Sequence, residues 1–346
     1  MFQNLKVVEL ASVLAGPLTG TFFAELGATV IKIENKLTQG DVTRTWRLPN
    51  ESKKTPVSAY YSAANYAKES LLLNVKEAAD YAVVLDHIQE ADIVIANYKP
   101  GTAGKLRLSY EDLRQHHPSL IYAELTGFGE DDARPAFDVV LQAESGFMFM
   151  NGEPGRPPVK MPVALIDILA AHHLKEAILC ALIHKLQTGE GKHIQISLYE
   201  SALASLANQA TNWLMEGHIP QPMGTQHPNI APYGDMYATQ DGKLLVLAVG
   251  SDKQFEGLCL VLGVDMDAFR TNAERLAKRA ELNSAIGERI VRQPASYWSG
   301  EFERRNIPYG VVKNMAEVFG DTRARKMLLK EEIEGVSTVR VRTALV

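Results

Sequence analysis

Residues 5–126 alternate short β-branched runs with stretches of helical period, and that alternation limits the fold more than any other feature of the chain. Residues 7–10 read as a strand, Ala15-Gly16-Pro17 as a turn with Pro17 preset for the first helical position, Gly27 as a helix stop and residues 29–33 as a second strand. Residues 62–68 are predicted helical and 70–75 extended, ending at Lys76. Residues 77–90 are predicted to be a helix with Tyr81, Val84, Leu85 and Ile88 on its apolar face, and 92–97 the next strand. Ser109, followed by Asp112, starts a short helix to residue 117, and 120–125 is the next strand. Strands and helices in this order form a parallel sheet covered on both faces, an α/β fold. Ligands of such sheets sit outside the carboxyl ends of the strands. Those ends carry residues 11–17, Asn35 and Lys36, Lys76, Asn97 to Lys99, and the loop 126–138.

The stretch 161–191 carries the most specific chemistry. Leu174, Ile178, Leu182 and Leu186 recur at helical spacing with Leu179 and Ile183 beside them, predicting one broad apolar stripe, and Gly189 is a stop signal. Asp167 stands where an N-cap is expected. A carboxylate there accepts backbone N–H bonds at the positive end of the helix dipole, so it is expected to stay ionised at neutral pH. An ordinary cap is the plain reading. However, no other charge lies between residues 161 and 171, and a carboxylate in so apolar a setting is costly unless bonded or used.

After this helix, residues 193–197 read as a strand and 198–215 as one long helix. Residues 217–234 hold four prolines and three glycines, a linker composition. Residues 237–249 read as a hairpin turning at Asp241-Gly242, and 253–306 as helical and charged. The predicted organisation is a large domain over 1–216, completed by 311–346, and a small α+β domain over 217–310. A length of 346 residues fits such a pair.

A net charge of −5 argues against nucleic-acid binding. Residues 1–110 carry 12 basic against 11 acidic residues, so an anionic ligand is expected in this third. The two cysteines, Cys180 and Cys259, read as reduced and buried, as in a cytoplasmic protein. No run reaches the length of a membrane span and no signal peptide is recognised.

Several motifs are excluded by their spacing. Glu34 ends the second strand as in a dinucleotide site, but Gly16 and Gly20 do not make the G-x-G-x-x-G fingerprint. Thr188 to Lys192, TGEGK, follows a helix instead of preceding one, so it reads as a turn and not a phosphate loop. His172 and His173 are adjacent on a helix and point to different faces, and no metal set is expected. Asp138 is a second carboxylate in a strand-end loop, with a helix cap as its plain reading. Lys76, Lys99 and Lys105 read first as solvated charges, although Lys76 and Lys99 fall at one edge of the sheet.

Taken in order, these segments resemble the class III CoA-transferase family, the group that contains formyl-CoA and carnitine-CoA transferases. The resemblance rests on residues 5–34, with Ala15-Gly16-Pro17 and the run from Leu26 to Glu34; on Gly40-Asp41; on Asn97-Tyr98 and Pro100-Gly101; on Phe137-Asp138, Gln142 and Ser145-Gly146; on Asp167 and its helix with Gly189 and Gly191; and on His227-Pro228, Ala231-Pro232-Tyr233 and Asp241-Gly242. It implies that Asp167 is the nucleophile. It implies CoA contacts at Leu14, Ala15, Asn35, Leu73, Asn74, Val75, Lys76, Asn97, Tyr98, Lys99, Lys105, Phe137 and Asp138. It further implies a Rossmann-like large domain, a homodimer of interlocked chains, acyl-CoA and a small carboxylic acid as substrates, and no prosthetic group or metal. The chain departs from the formyl-CoA transferase pattern at Leu14, where that enzyme has a polar residue, and at Asn35 and Lys105, where it has arginines. It has no counterpart of the glycine-rich flap, and these departures argue against formate or oxalate as the acid.

Two other activities fit a CoA-binding chain of this kind. An α-methylacyl-CoA racemase needs a base on each side of the α-carbon, and racemases of this type place His where Phe137 stands. A non-catalytic CoA-binding subunit would bind CoA without needing Asp167.

Overall fold

A computed structural model describes all 346 residues. The chain forms two compact units, one of Met1–Met148, Lys160–Ile219 and Lys326–Val346, the other of Phe149–Val159 and Pro220–Arg325. The sequence expectation drew its lines at 217 and 310, did not assign 149–159 to the small unit, and returned the chain to the large unit earlier.

The large unit opens with β1 (Lys6–Leu10), α1 (Ala15–Glu25), β2 (Thr29–Asn35), α2 (Ala59–Ser62), β3 (Lys68–Leu73), α3 (Ala78–Gln89) and β4 (Ile93–Ala96). It continues with α4 (Thr102–Lys105), α5 (Tyr110–Leu113), β5 (Ile121–Thr126), α6 (Asp138–Glu144), α7 (Leu165–Thr188), β6 (Lys192–Ser197), α8 (Leu198–Ala204) and α9 (Ala207–Glu216). The six strands pair in parallel in the order β3-β2-β1-β4-β5-β6. This is the doubly wound, Rossmann-like order, whose reversal between β1 and β4 opens a crevice at their carboxyl ends. One face of the sheet packs Val7, Ile93, Ile95 and Ile121 with Phe23 of α1 and Ile166, Leu174 and Ile178 of α7. The other packs Val8, Val94 and Tyr122 with Val84 and Ile88 of α3.

Glycines explain how closely these layers approach. A Cβ on Gly16 would lie 2.4 Å from that of Ala11, and one on Gly20 would overlap the Glu9 carboxylate. The two glycines that fail the dinucleotide fingerprint therefore seat α1 on the end of β1. Gly189 takes φ 78° as the stop of α7, and a Cβ on Gly191 would lie 2.0 Å from the Leu120 carbonyl oxygen. TGEGK is thus a helix stop followed by a close backbone crossing.

Several element boundaries differ from expectation. Helix α1 begins at Ala15, two residues before Pro17. The predicted helix at 62–68 is a single turn ending at Ser62, because the chain must already be extended at Lys68 to pair with Val30. The long helix at 198–215 breaks between Ala204 and Ala207, where Ala207 takes φ 47°. The apolar stripe of α7 is buried as far as Ile178 and Ala181 but not to its end; Ile183 and Leu186 are exposed. Cys180, also on α7, is exposed, whereas Cys259 is buried and its thiol is pushed up to about 11, chiefly by that burial.

The small unit contains β7 (Tyr233–Ala238), β8 (Leu244–Ala248), α10 (Asp252–Leu262), α11 (Asn272–Ala277), α12 (Arg279–Ile290), α13 (Ala295–Arg304), β9 (Tyr309–Val311), α14 (Met315–Gly320) and α15 (Thr322–Arg325). Its antiparallel sheet β7-β8-β9 packs on Phe255, Leu282, Ile286 and Phe302. The chain then returns to the large unit as the hairpin β10 (Leu328–Ile333) and β11 (Val336–Val341). Glu25 holds this return through Arg340 at 2.7 Å and the backbone N–H groups of Thr343 and Ala344. No helix is long and apolar enough to cross a membrane.

Candidate active site

The crevice begins where the ends of β1 and β4 are tied together. Asn97 accepts the Ser12 N–H at 3.0 Å and donates to the Ser12 carbonyl at 2.8 Å. Ser12, Asn97, Tyr98 and Lys99 line two adjoining cavities, one on each side of this tie.

The first cavity, of about 250 Å³, holds Leu14, Ala15, Phe137, Arg134 and Asp167 in its wall. Asp167 is not the helix cap that its spacing suggested. Helix α7 starts at Leu165 after Ala164, so Asp167 sits in its first turn. The capping role belongs to Asp138, whose carboxylate accepts the Ile166 N–H at 2.7 Å and a bond from the Gln142 amide. Asp167 is 9 % exposed, and no protein hydrogen bond to its carboxylate offsets that burial. Burial, and then the neighbouring Asp138 carboxylate, push its pKa up to about 7. The expectation of a carboxylate fully ionised at neutral pH is therefore corrected. The helix N–H groups that would have held it ionised are engaged elsewhere or not directed at it, and desolvation prevails.

The second cavity, of about 630 Å³, is lined by Asn35, Leu73, Asn74, Val75 and Lys76 together with Lys99. Its extent across the ends of β1, β2, β3 and β4, with Lys76 and Lys99 in its wall, suits an elongated anionic ligand. Asn35 faces it while bonding the Leu37 N–H, and Asn74 turns the chain by accepting the Lys76 N–H. Of the residues expected to contact CoA, Lys105 and Asp138 line neither cavity. Lys105 ends the short helix α4, and Asp138 lies behind the wall as a cap.

Sequence reasoning gave no role to several residues found here. Trp46 and Tyr60 pack edge to face at 5.1 Å, and Trp46 tilts against Phe137 at 6.5 Å. Burial, then the carboxylates of Asp167, Asp138 and Asp41, raise the pKa of the Tyr60 hydroxyl. Arg134 bridges Asp132 and Glu144 with its guanidinium 4.0 Å above the Phe128 ring. Trp46 and Arg134 lie outside helices and strands and Tyr60 in a single helical turn, so none of them left a periodic signal. Glu34, which resembled a ribose-binding acid, is already engaged by Arg44 at 2.7 Å, by Tyr61 at 2.7 Å and by the Asp41 N–H. Burial alone would raise its pKa, but these partners and Lys32 hold it down at about 2. No group of three His, Cys, Asp or Glu side chains is arranged to hold a metal.

Fold and site together define a Rossmann-like α/β protein with a buried, unbonded carboxylate beside a long lysine-bearing recess. Residues 2–345 match the family model described as CoA-transferase family III, and the chain belongs to that family. It is 37% identical, over 99% of its length and 88% of the relative's, to the succinate–glutarate CoA-transferase of Agrobacterium fabrum. It is 35% identical, over 95% of its length and 85% of the relative's, to the acetyl-CoA:oxalate CoA-transferase of Acetobacter aceti. A CaiB/BaiF family protein from Brucella suis superposes with a TM-score of 0.85 at 37% identity, covering 99% of this chain and 92% of that one.

Proposed function

We propose that the protein transfers CoA from an acyl-CoA to a dicarboxylic acid through a covalent intermediate on Asp167. The observation that carries this reading is Asp167 itself, buried and unbonded in the wall of a cavity that adjoins the recess of Lys76 and Lys99. A carboxylate with no hydrogen bond to lose is an activated nucleophile toward a thioester. An Asp167 oxygen attacks the donor carbonyl, CoA leaves as thiolate, and a mixed anhydride forms. The thiolate attacks the Asp167 carbonyl, expelling the donor acid and leaving an aspartyl-CoA thioester. The acceptor carboxylate attacks that thioester, giving a second anhydride and thiolate. The thiolate then takes the acceptor acyl group and restores Asp167. Every bond broken is matched by one formed among these groups.

Lys76 and Lys99 offset the phosphates of CoA, with Leu14, Ala15, Asn35, Leu73, Asn74, Val75, Asn97, Tyr98 and Phe137 along its path. The dicarboxylic acid is suggested by the names of the two relatives, succinate–glutarate and oxalate. We read the protein as a cytoplasmic homodimer of interlocked chains. Racemisation is set aside, because Phe137 supplies no base next to Asp138 and both Asp138 oxygens are already bonded.

The test is exchange of CoA between a panel of acyl-CoAs and dicarboxylic acids, with new thioesters identified by mass. Hydroxylamine should trap an adduct on Asp167, and Asp167→Asn should lose exchange while keeping CoA binding. Since the nucleophile is the ionised form, kcat/KM should rise with pH and level off above about 7. Exchange at full speed in Asp167→Asn would overturn the reading.

A further inference from the structure

The segment between β1 and α1 lines both cavities, and its backbone is held by side chains from three other places in the chain. The Ala11 carbonyl accepts from Lys32 at 2.8 Å, the Ser12 N–H and carbonyl are held by Asn97, and the Val13 N–H donates to Asp41 at 3.1 Å. Val13 takes φ 72°, the left-handed region that a β-branched side chain normally avoids. Strain of this kind persists only where the surroundings over-determine it, and it gathers at functional sites. Asp41 is itself fixed. Its carboxylate accepts the Thr43 N–H at 3.0 Å and hydroxyl at 2.8 Å, and lies 3.1 Å from Lys32. Lys32 bonds Glu9 at 2.9 Å, and Glu9 bonds Lys68 at 2.7 Å. All four charged side chains are 0–1 % exposed.

A buried ionic chain of this length is no more stabilising than apolar packing, so what distinguishes it here is the backbone geometry that it fixes. At the crevice, what this chain holds is the Ala11 carbonyl and the Val13 N–H. We propose that Asp41, backed by Lys32, is a positioning residue that keeps Val13 left-handed and so fixes Leu14 and Ala15 in the wall shared with Asp167. The inference rests on the transferase reading for its catalytic consequence. Its conformational part stands alone, because the hold on Val13 is a matter of geometry.

The experiment compares Asp41→Asn, Val13→Gly and the double variant. Glycine adopts positive φ without help, so it should make the hold dispensable. Asp41→Asn should lower kcat by about tenfold to a hundredfold, the usual effect of a small misplacement in an active site. The affinity for CoA, measured by calorimetry, should stay within about threefold, since the loss concerns positioning and not ground-state binding. Adding Val13→Gly should regain most of the lost kcat. A double variant no faster than Asp41→Asn, or a loss confined to CoA affinity, overturns the proposal. Should Asp41→Asn fail to fold, Thr43→Val loosens the same carboxylate without uncovering a charge and carries the same expectations at smaller size. Hydrogen exchange of residues 11–18 supplies the readout that needs no activity: it should quicken in Asp41→Asn while the rest of the large unit is unchanged. If the wild type exchanges no CoA with any acid, the transferase reading has failed, and the exchange data still decide whether Asp41 holds Val13.

Discussion

Asp167 is held where the fold disfavours its charge. Burial and the Asp138 carboxylate push its pKa up to about 7, well above the ordinary aspartate value, so the native state keeps a proton that the unfolded chain releases. Stability is therefore greatest below the unfolded value and falls as pH rises from about 4 to about 7. Asp167→Asn removes this cost. It should raise unfolding stability at pH 8 by about 2–4 kcal/mol and leave it nearly unchanged at pH 4. Denaturant titrations at the two pH values check this; an equal effect at both would show that the carboxylate is not strained by burial. The sequence made Asp167 conspicuous as the lone charge in an apolar run. It did not reveal that Asp138, 28 residues before Ile166 whose N–H it accepts, caps the helix in its place. The buried charges Glu9, Lys32 and Glu34 all lie in β1 and β2, and which carboxylate meets which cation depends on tertiary packing.

Among the elements, α7 and the crossing that follows it were read with partial success. Gly189 and Gly191 were legible as a stop, yet the reason for Gly191 is the Leu120 carbonyl, which belongs to a segment distant in sequence. Gly191→Ala should destabilise the protein by about 1–3 kcal/mol, because the methyl group meets backbone that cannot rotate away. Gly189→Ala meets no atom within 4 Å and should lose only the smaller cost of its positive φ. Thermal unfolding of the two variants separates clash from backbone strain, and equal losses would contradict the assignment. Helical period located α7 correctly but overextended its buried face, since Ile183 and Leu186 keep the pattern without a partner in this chain.

For the whole molecule, the exposed apolar side chains bear on assembly. Trp213, Leu214 and Met215 near the end of α9 are 52 %, 75 % and 77 % exposed, and no residue of that helix is buried. Such a group on one short helix marks an interaction surface, here best met by the second chain of the proposed homodimer. The wild type should therefore run in solution at twice 38.1 kDa. Leu214→Glu with Met215→Glu should run at the single-chain mass and lose CoA exchange, as measured by light scattering and assay. A monomeric wild type, or a double variant still dimeric, would refute this use of the helix.

The sequence by itself determined the α/β class, the loops that follow the strand ends and the prominence of Asp167. These depend on local period and on charge in an apolar context, which any stretch of chain carries with it. Only the tertiary structure decided that β1 and β4 border the crevice, that Asp138 caps α7, and that Asp41 reaches Val13. Each of these joins residues far apart along the chain, and no local pattern encodes which distant groups the packed sheet will bring within bonding distance.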